Sequence, residues 1–74
     1  MNQINQQIGA MIRANRKNRY LTQEQLAALM GITKAAVSRM ESGATALSTT
    51  TLVKVANALN CVIDIRMTPA EHIR

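Results

Sequence analysis

Residues Thr22 to Ser42, TQEQLAALMGITKAAVSRMES, read as two short helices locked at a fixed angle by a tight turn. Thr22 stands where its hydroxyl caps free helix N–H groups, and Gln25 three residues on completes a capping box. Leu26, Leu29 and Met30 then fall at helical spacing and predict one apolar face, with Ala27 and Ala28 small enough to let another helix approach. Gly31 stops the helix. A residue there takes positive φ, which glycine does at no steric cost, and Ile32 is expected to return the chain to the core. Thr33 caps the second helix, whose Ala36, Val37 and Met40 repeat every three to four residues and face inward. Lys34, Ala35, Ser38 and Arg39 are left pointing outward, as a candidate reading surface.

Working outward, the N-terminal residues Ile4, Ile8, Met11 and Ile12 keep the pattern of one helical face and predict a helix from about Gln3 to Asn18. Gly9 inside it costs roughly 1 kcal/mol against alanine, which points to close packing against another helix. Arg19, Tyr20 and Leu21 connect onward, with Leu21 inward and Arg19 outward. After Gly43, Ser48 caps a fourth helix with the core face Leu52, Val55, Ala56 and Leu59, closed by a left-handed Asn60. The period then changes: Cys61, Ile63, Ile65 and Met67 alternate with Val62, Asp64, Arg66 and Thr68, which predicts a strand. The expected fold is mainly α, with four helices and a C-terminal β-strand. One domain covers residues 1–68, and 69–74 form a tail.

A lone strand cannot satisfy its own backbone, so it is expected to pair with its copy from a second chain in a two-stranded antiparallel sheet. An axis between residues would set Ile63 against Asp64 and mix the faces. An axis at Asp64 would oppose like charges, whereas an axis at Ile65 sets Asp64 against the partner's Arg66 and Ile63 against the partner's Met67. The expected dimerisation residues are therefore Cys61, Ile63, Asp64, Ile65, Arg66 and Met67.

Seventy-four residues make one domain close to the size at which a single core is barely sufficient, so dimerisation would help. The core must be aliphatic and rich in methionine, since Tyr20 is the only aromatic residue. A net charge of +5 and a pI near 10.4 imply a polyanionic partner. Four of the nine basic residues lie between Arg13 and Arg19, a density that fits either a solvated helix end or a surface facing phosphate. The sequence shows neither a signal peptide nor a membrane span, and a cytoplasmic location is expected. Cys61 is the single cysteine and His72 the single histidine, and Glu24, Glu41, Asp64 and Glu71 are scattered. No nucleophile meets a positioned base and no metal-ligand spacing occurs, so neither catalysis nor a metal or cofactor is expected.

The stretch from Thr22 to Ser42 resembles the helix-turn-helix of the lambda repressor and Cro (XRE) family of DNA-binding proteins. Gln23, Ala27, Gly31-Ile32, Val37, Met40 and the ending Glu41-x-Gly43 carry that resemblance. It implies that Thr33, Lys34, Ala35, Ser38 and Arg39 enter the major groove. It also implies that Gln23 contacts phosphate, and that Arg16 clips helix 1 to helix 3 through Glu41. Arg16 has donors enough to reach phosphate as well, and Arg19, Ser42 and Thr45 complete the expected DNA-binding set. The loop from Ala44 to Leu47 lacks the basic residues with which family members clamp the backbone. Four helices, a capped end and a β-segment further resemble DNA-binding antitoxins of the HipB and HigA kinds. The resemblances imply a homodimeric repressor of a palindromic operator, autoregulating within a toxin-antitoxin operon, with a cognate toxin as a possible partner. Two alternatives stay open: an interaction module that mainly neutralises a toxin, and a phage or restriction-modification regulator. An αα-hairpin used only for packing would share the turn but not the whole motif.

Overall fold

The computed structural model describes residues 3–70, in four helices: α1 (Gln3–Asn18), α2 (Gln23–Met30), α3 (Lys34–Ser42) and α4 (Thr49–Ala58). Local chemistry sets their starts. Thr22 Oγ1 accepts the Gln25 N–H at 3.0 Å while Gln25 Oε1 accepts the Thr22 N–H at 2.8 Å, so the capping box is complete. Thr33 and Ser48 hydroxyls cap α3 and α4 in the same way, through the N–H groups of Ala36 and Thr51. The ends are equally regular. Among the described residues, the positive φ angles belong to Tyr20 (57°), Gly31 (69°), Gly43 (79°) and Asn60 (55°), one just past each helix. At each, the next N–H turns back onto a carbonyl of the last turn, as Cys61 does to Ala56 O at 2.8 Å and Ile32 to Ala27 O at 3.0 Å.

Tyr20 is the member of this set that its sequence does not announce. A left-handed tyrosine costs on the order of 1 kcal/mol or more, so its surroundings must hold it there. Arg19 supplies the restraint: its Nε and Nη2 donate to the carbonyls of Leu59 and Asn60, each at 2.9 Å. The cation also meets the negative end of the α4 dipole.

Helix α1 packs on α3, and α2 packs on both α3 and α4. Ile12, Leu26, Ala27, Val37, Met40, Val55 and Leu59 form the core, with Ile8, Leu21, Met30, Leu47, Ala58 and Cys61 against it. Leu26 and Val37 are fully buried, each worth about 1.5–3 kcal/mol of transfer free energy. Gly9 is where α1 meets α3 most closely: a Cβ there would fall 2.5 Å from the carbonyl oxygens of Met40 and Glu41. The close approach expected of this glycine is thus present.

Two expectations need correction. Leu29 is 60% exposed, because the inward face of α2 centres on Leu26, Ala27 and Met30 and Leu29 lies roughly a third of a turn away. Ile32 stays 37% exposed, since the turn places it at the edge of the core. Residues 61–70 form no strand. A strand is defined by hydrogen bonds to a neighbour, and among the described residues none pairs with this segment. Its side chains nevertheless alternate, with Cys61 and Ile63 half-buried and Val62 and Asp64 exposed. Asp64 and Arg66, two residues apart, form a solvent-exposed ion pair at 3.0 Å.

Helix α1, α4 and residues 61–66 enclose an apolar groove lined by Ile8, Leu52, Leu59 and Ile63, with exposed Ile4, Met11 and Ile65 at its margins. Among the described residues no helix is long and apolar enough to cross a membrane. His72 and Glu71 lie outside the described residues, as does the end of the 69–74 tail.

Candidate nucleic-acid interface

The angle between the helices is held by one buried carboxylate. Glu41, at the last turn of α3, accepts Arg16 Nε on Oε2 at 2.6 Å and Arg16 Nη2 on Oε1 at 3.0 Å. Gln23 Nε2, from the first turn of α2, reaches the same Oε1 at 3.1 Å. Three helices therefore meet on one side chain. Burial by itself pushes the Glu41 carboxyl up, but the hydrogen bonds from Arg16 and Gln23, with the charges of Arg16 and Arg13, outweigh it and hold the group below its ordinary value. The hydrogen bond that Arg16 donates to Glu41 raises Arg16 in turn, against the opposing effect of its own burial.

Outward from this hub, α3 presents Lys34, Ala35, Ser38 and Arg39, all exposed, while Val37, Met40 and Glu41 on its other side are buried. Thr33, also exposed, uses an oxygen lone pair on the Ala36 N–H and keeps its proton available. Ser42 is exposed, but its hydroxyl donates to the Arg39 carbonyl at 3.0 Å, which leaves it acceptor lone pairs. Thr45 is exposed in the loop that follows.

The basic cluster on α1 divides in a way its spacing does not show. Arg16, expected both to hold the carboxylate and to reach phosphate, is only 8% exposed. Its three nitrogens donate inward, Nη1 going to the Leu21 carbonyl at 2.8 Å. The structure shows the first of these tasks. Arg19, expected outward among the DNA contacts, is exposed and closes the end of α4 through the Leu59 and Asn60 carbonyls. Arg13, expected toward phosphate only as one member of the four-cation cluster, lines a polar cleft with Arg16, Gln23, Ser38, Glu41 and Ser42. Its spacing three residues before Arg16 on one helix is the signal that could have placed it there.

A helix-turn-helix family model matches residues 12–64. Comparison with curated proteins gave no match. Among solved structures, the restriction-modification controller protein C.AhdI from Aeromonas hydrophila is similar with a TM-score of 0.73 and 32% identity, covering 77% of this chain and 83% of that one. The clp gene regulator ClgR from C. glutamicum gives 0.79 at 24% identity, over 84% and 80% of the two chains, a likeness of fold. An HTH_3 family transcriptional regulator from Vibrio cholerae gives 0.73 at 31% identity, over 78% of this chain and 33% of the other.

Proposed function

The chain belongs to the helix-turn-helix family, and from that premise we propose that it is a sequence-specific DNA-binding transcriptional repressor, acting as a homodimer on a palindromic operator. The observation that carries the reading is the outward face of α3. The side chains of Lys34, Ser38 and Arg39 are exposed and make no hydrogen bond or ion pair with other described residues, on a helix clamped through Glu41 to both α1 and α2. Arg39 can take guanine O6 and N7 bidentately, Lys34 can donate to guanine or phosphate, and Ala35 offers a methyl contact to thymine. Gln23, half-buried at the α2 N-terminus, has a second amide proton for a phosphate beyond the one given to Glu41. Occupying a promoter blocks transcription, and no catalytic step is involved.

Arg39→Ala should relax base preference at one position per half-site and cost about 1–3 kcal/mol of affinity. Gln23→Ala should weaken binding to all sequences alike, since phosphate contacts position without reading. Titration of both variants against the operator and its single-base variants is the test, and equal, sequence-independent losses would defeat the reading.

The dimer is proposed to form through residues 61–67, paired antiparallel about Ile65 with Asp64 opposite the partner's Arg66. Support comes from the alternating burial, from Ile65 at 66% and Met67 at 96% exposure, and from the open apolar groove beside them. Ile65→Pro should sediment as a monomer and bind operator weakly, and a fully dimeric variant would place the interface elsewhere.

Two biological settings fit such a repressor. The four-helix order with its apolar C-terminal segment supports an autoregulating antitoxin of the HipB or HigA kind, located in the cytoplasm, that also binds a cognate toxin. Likeness to a restriction-modification controller at 32% identity favours control of a restriction-modification system as the second reading. The neighbouring genes, a toxin in one case and a methyltransferase with an endonuclease in the other, separate the two.

A further inference from the structure

We infer that Arg13 is a DNA phosphate contact of this protein, the basic side chain with which α1 grips the backbone beside the reading helix. The inference rests on the DNA-binding reading above and names a residue within it. Of the cations packed between positions 13 and 19, Arg16 is buried on Glu41 and Leu21, and Arg19 is bonded to Leu59 and Asn60. Arg13 and Lys17 are exposed and make no hydrogen bond or ion pair with the described residues. Only Arg13 of these two lines the polar cleft shared with Gln23 on α2 and Ser38 and Ser42 on α3. One side of that cleft is therefore the outward face of α3.

The charge inside the cleft is already balanced. Both Glu41 oxygens are occupied, Oε2 by Arg16 and Oε1 by Arg16 and Gln23, so the carboxylate has its cation without Arg13. Arg13 is close enough for its charge to act on Glu41, yet it remains as a surplus positive charge with its guanidinium donors free. A surplus fork donor on the rim of a groove-reading helix suits a phosphate, which accepts two parallel N–H bonds. The loop 44–47 carries no basic residue that could take this role.

The experiment measures affinity against salt, using duplexes selected by the wild-type protein from a random pool and a scrambled duplex of equal length. Losing one phosphate contact should reduce the slope of log K against log salt by about 0.9, and should lower affinity about eightfold at 0.1 M salt. Arg13→Gln is expected to do so on both duplexes, with thermal unfolding unchanged, while Arg13→Lys keeps the slope. Lys17→Gln should leave it nearly intact. An unchanged slope for Arg13→Gln, or an equal reduction by Lys17→Gln, would overturn the contact while leaving DNA binding in place. Failure of the wild-type protein to select any duplex would overturn the DNA-binding reading itself, and the Arg13 contact with it.

Discussion

Gly9→Ala should destabilise the protein by about 3 kcal/mol, at the upper end of what overpacking a core usually costs. Inside an exposed helix the same change would gain roughly 1 kcal/mol, because alanine is the better helix former. Here the added Cβ would sit 2.5 Å from the carbonyl oxygens of Met40 and Glu41 and 2.8 Å from the Glu41 carbonyl carbon. These are backbone atoms, so no rotamer change relieves the clash. Helix α1 would have to back away from the end of α3, loosening Ile12 in the core and stretching the Arg16–Glu41 bond from 2.6 Å. Thermal unfolding should show the midpoint lowered by more than about 10 °C for a domain of this size. A midpoint equal to or above that of the parent would show that α1 does not pack as described.

Arg16→Ala and Glu41→Ala should each cost about 3–5 kcal/mol, with the double variant far from additive. The side chains are 9% and 4% exposed, so removing either strands a charge that water reaches poorly. Glu41→Ala also leaves Gln23 without its acceptor, and Arg16→Ala frees the Leu21 carbonyl. Arg16→Lys should rescue little, because a single ammonium cannot span both carboxylate oxygens and that carbonyl. A urea double-mutant cycle with additive losses would dismiss the clip as an energetic unit. The pair also fixes a pH dependence. Glu41 lies below its ordinary value of 4.5 in the folded protein, so its contribution is complete above that value and is lost as pH falls through the lowered one. Unfolding free energy measured from neutral pH downwards should therefore fall less steeply in Glu41→Gln than in the parent.

Much of the fold is legible in short-range signals. The capping box of Thr22 and Gln25, the caps Thr33 and Ser48, Gly31 and Asn60 each act within one turn of their own position. The α3 face was readable for the same reason: Val37 and Met40 being inward forces Lys34, Ser38 and Arg39 outward on a helix of fixed period. Gly9 was readable because a glycine inside a strong helical pattern needs a packing reason. Leu29 and Ile32 were misread because apolarity shows what a face prefers, whereas their burial depends on whether a neighbour arrives to cover it.

The local sequence determined which helices form, which side of α3 faces outward and every turn but the one at Tyr20, since all of these are settled by residues within four positions of one another. Tertiary structure alone decided what the basic cluster does. Arg13, Arg16 and Lys17 at the end of α1 and Arg19 just past it share nearly one chemistry. Their fates separate because the Glu41 carboxylate lies 25 residues from Arg16, and the carbonyls of Leu59 and Asn60 lie 40 and 41 residues from Arg19. A guanidinium is committed by whichever acceptor folding brings within about 3 Å, and no spacing within α1 contains that information.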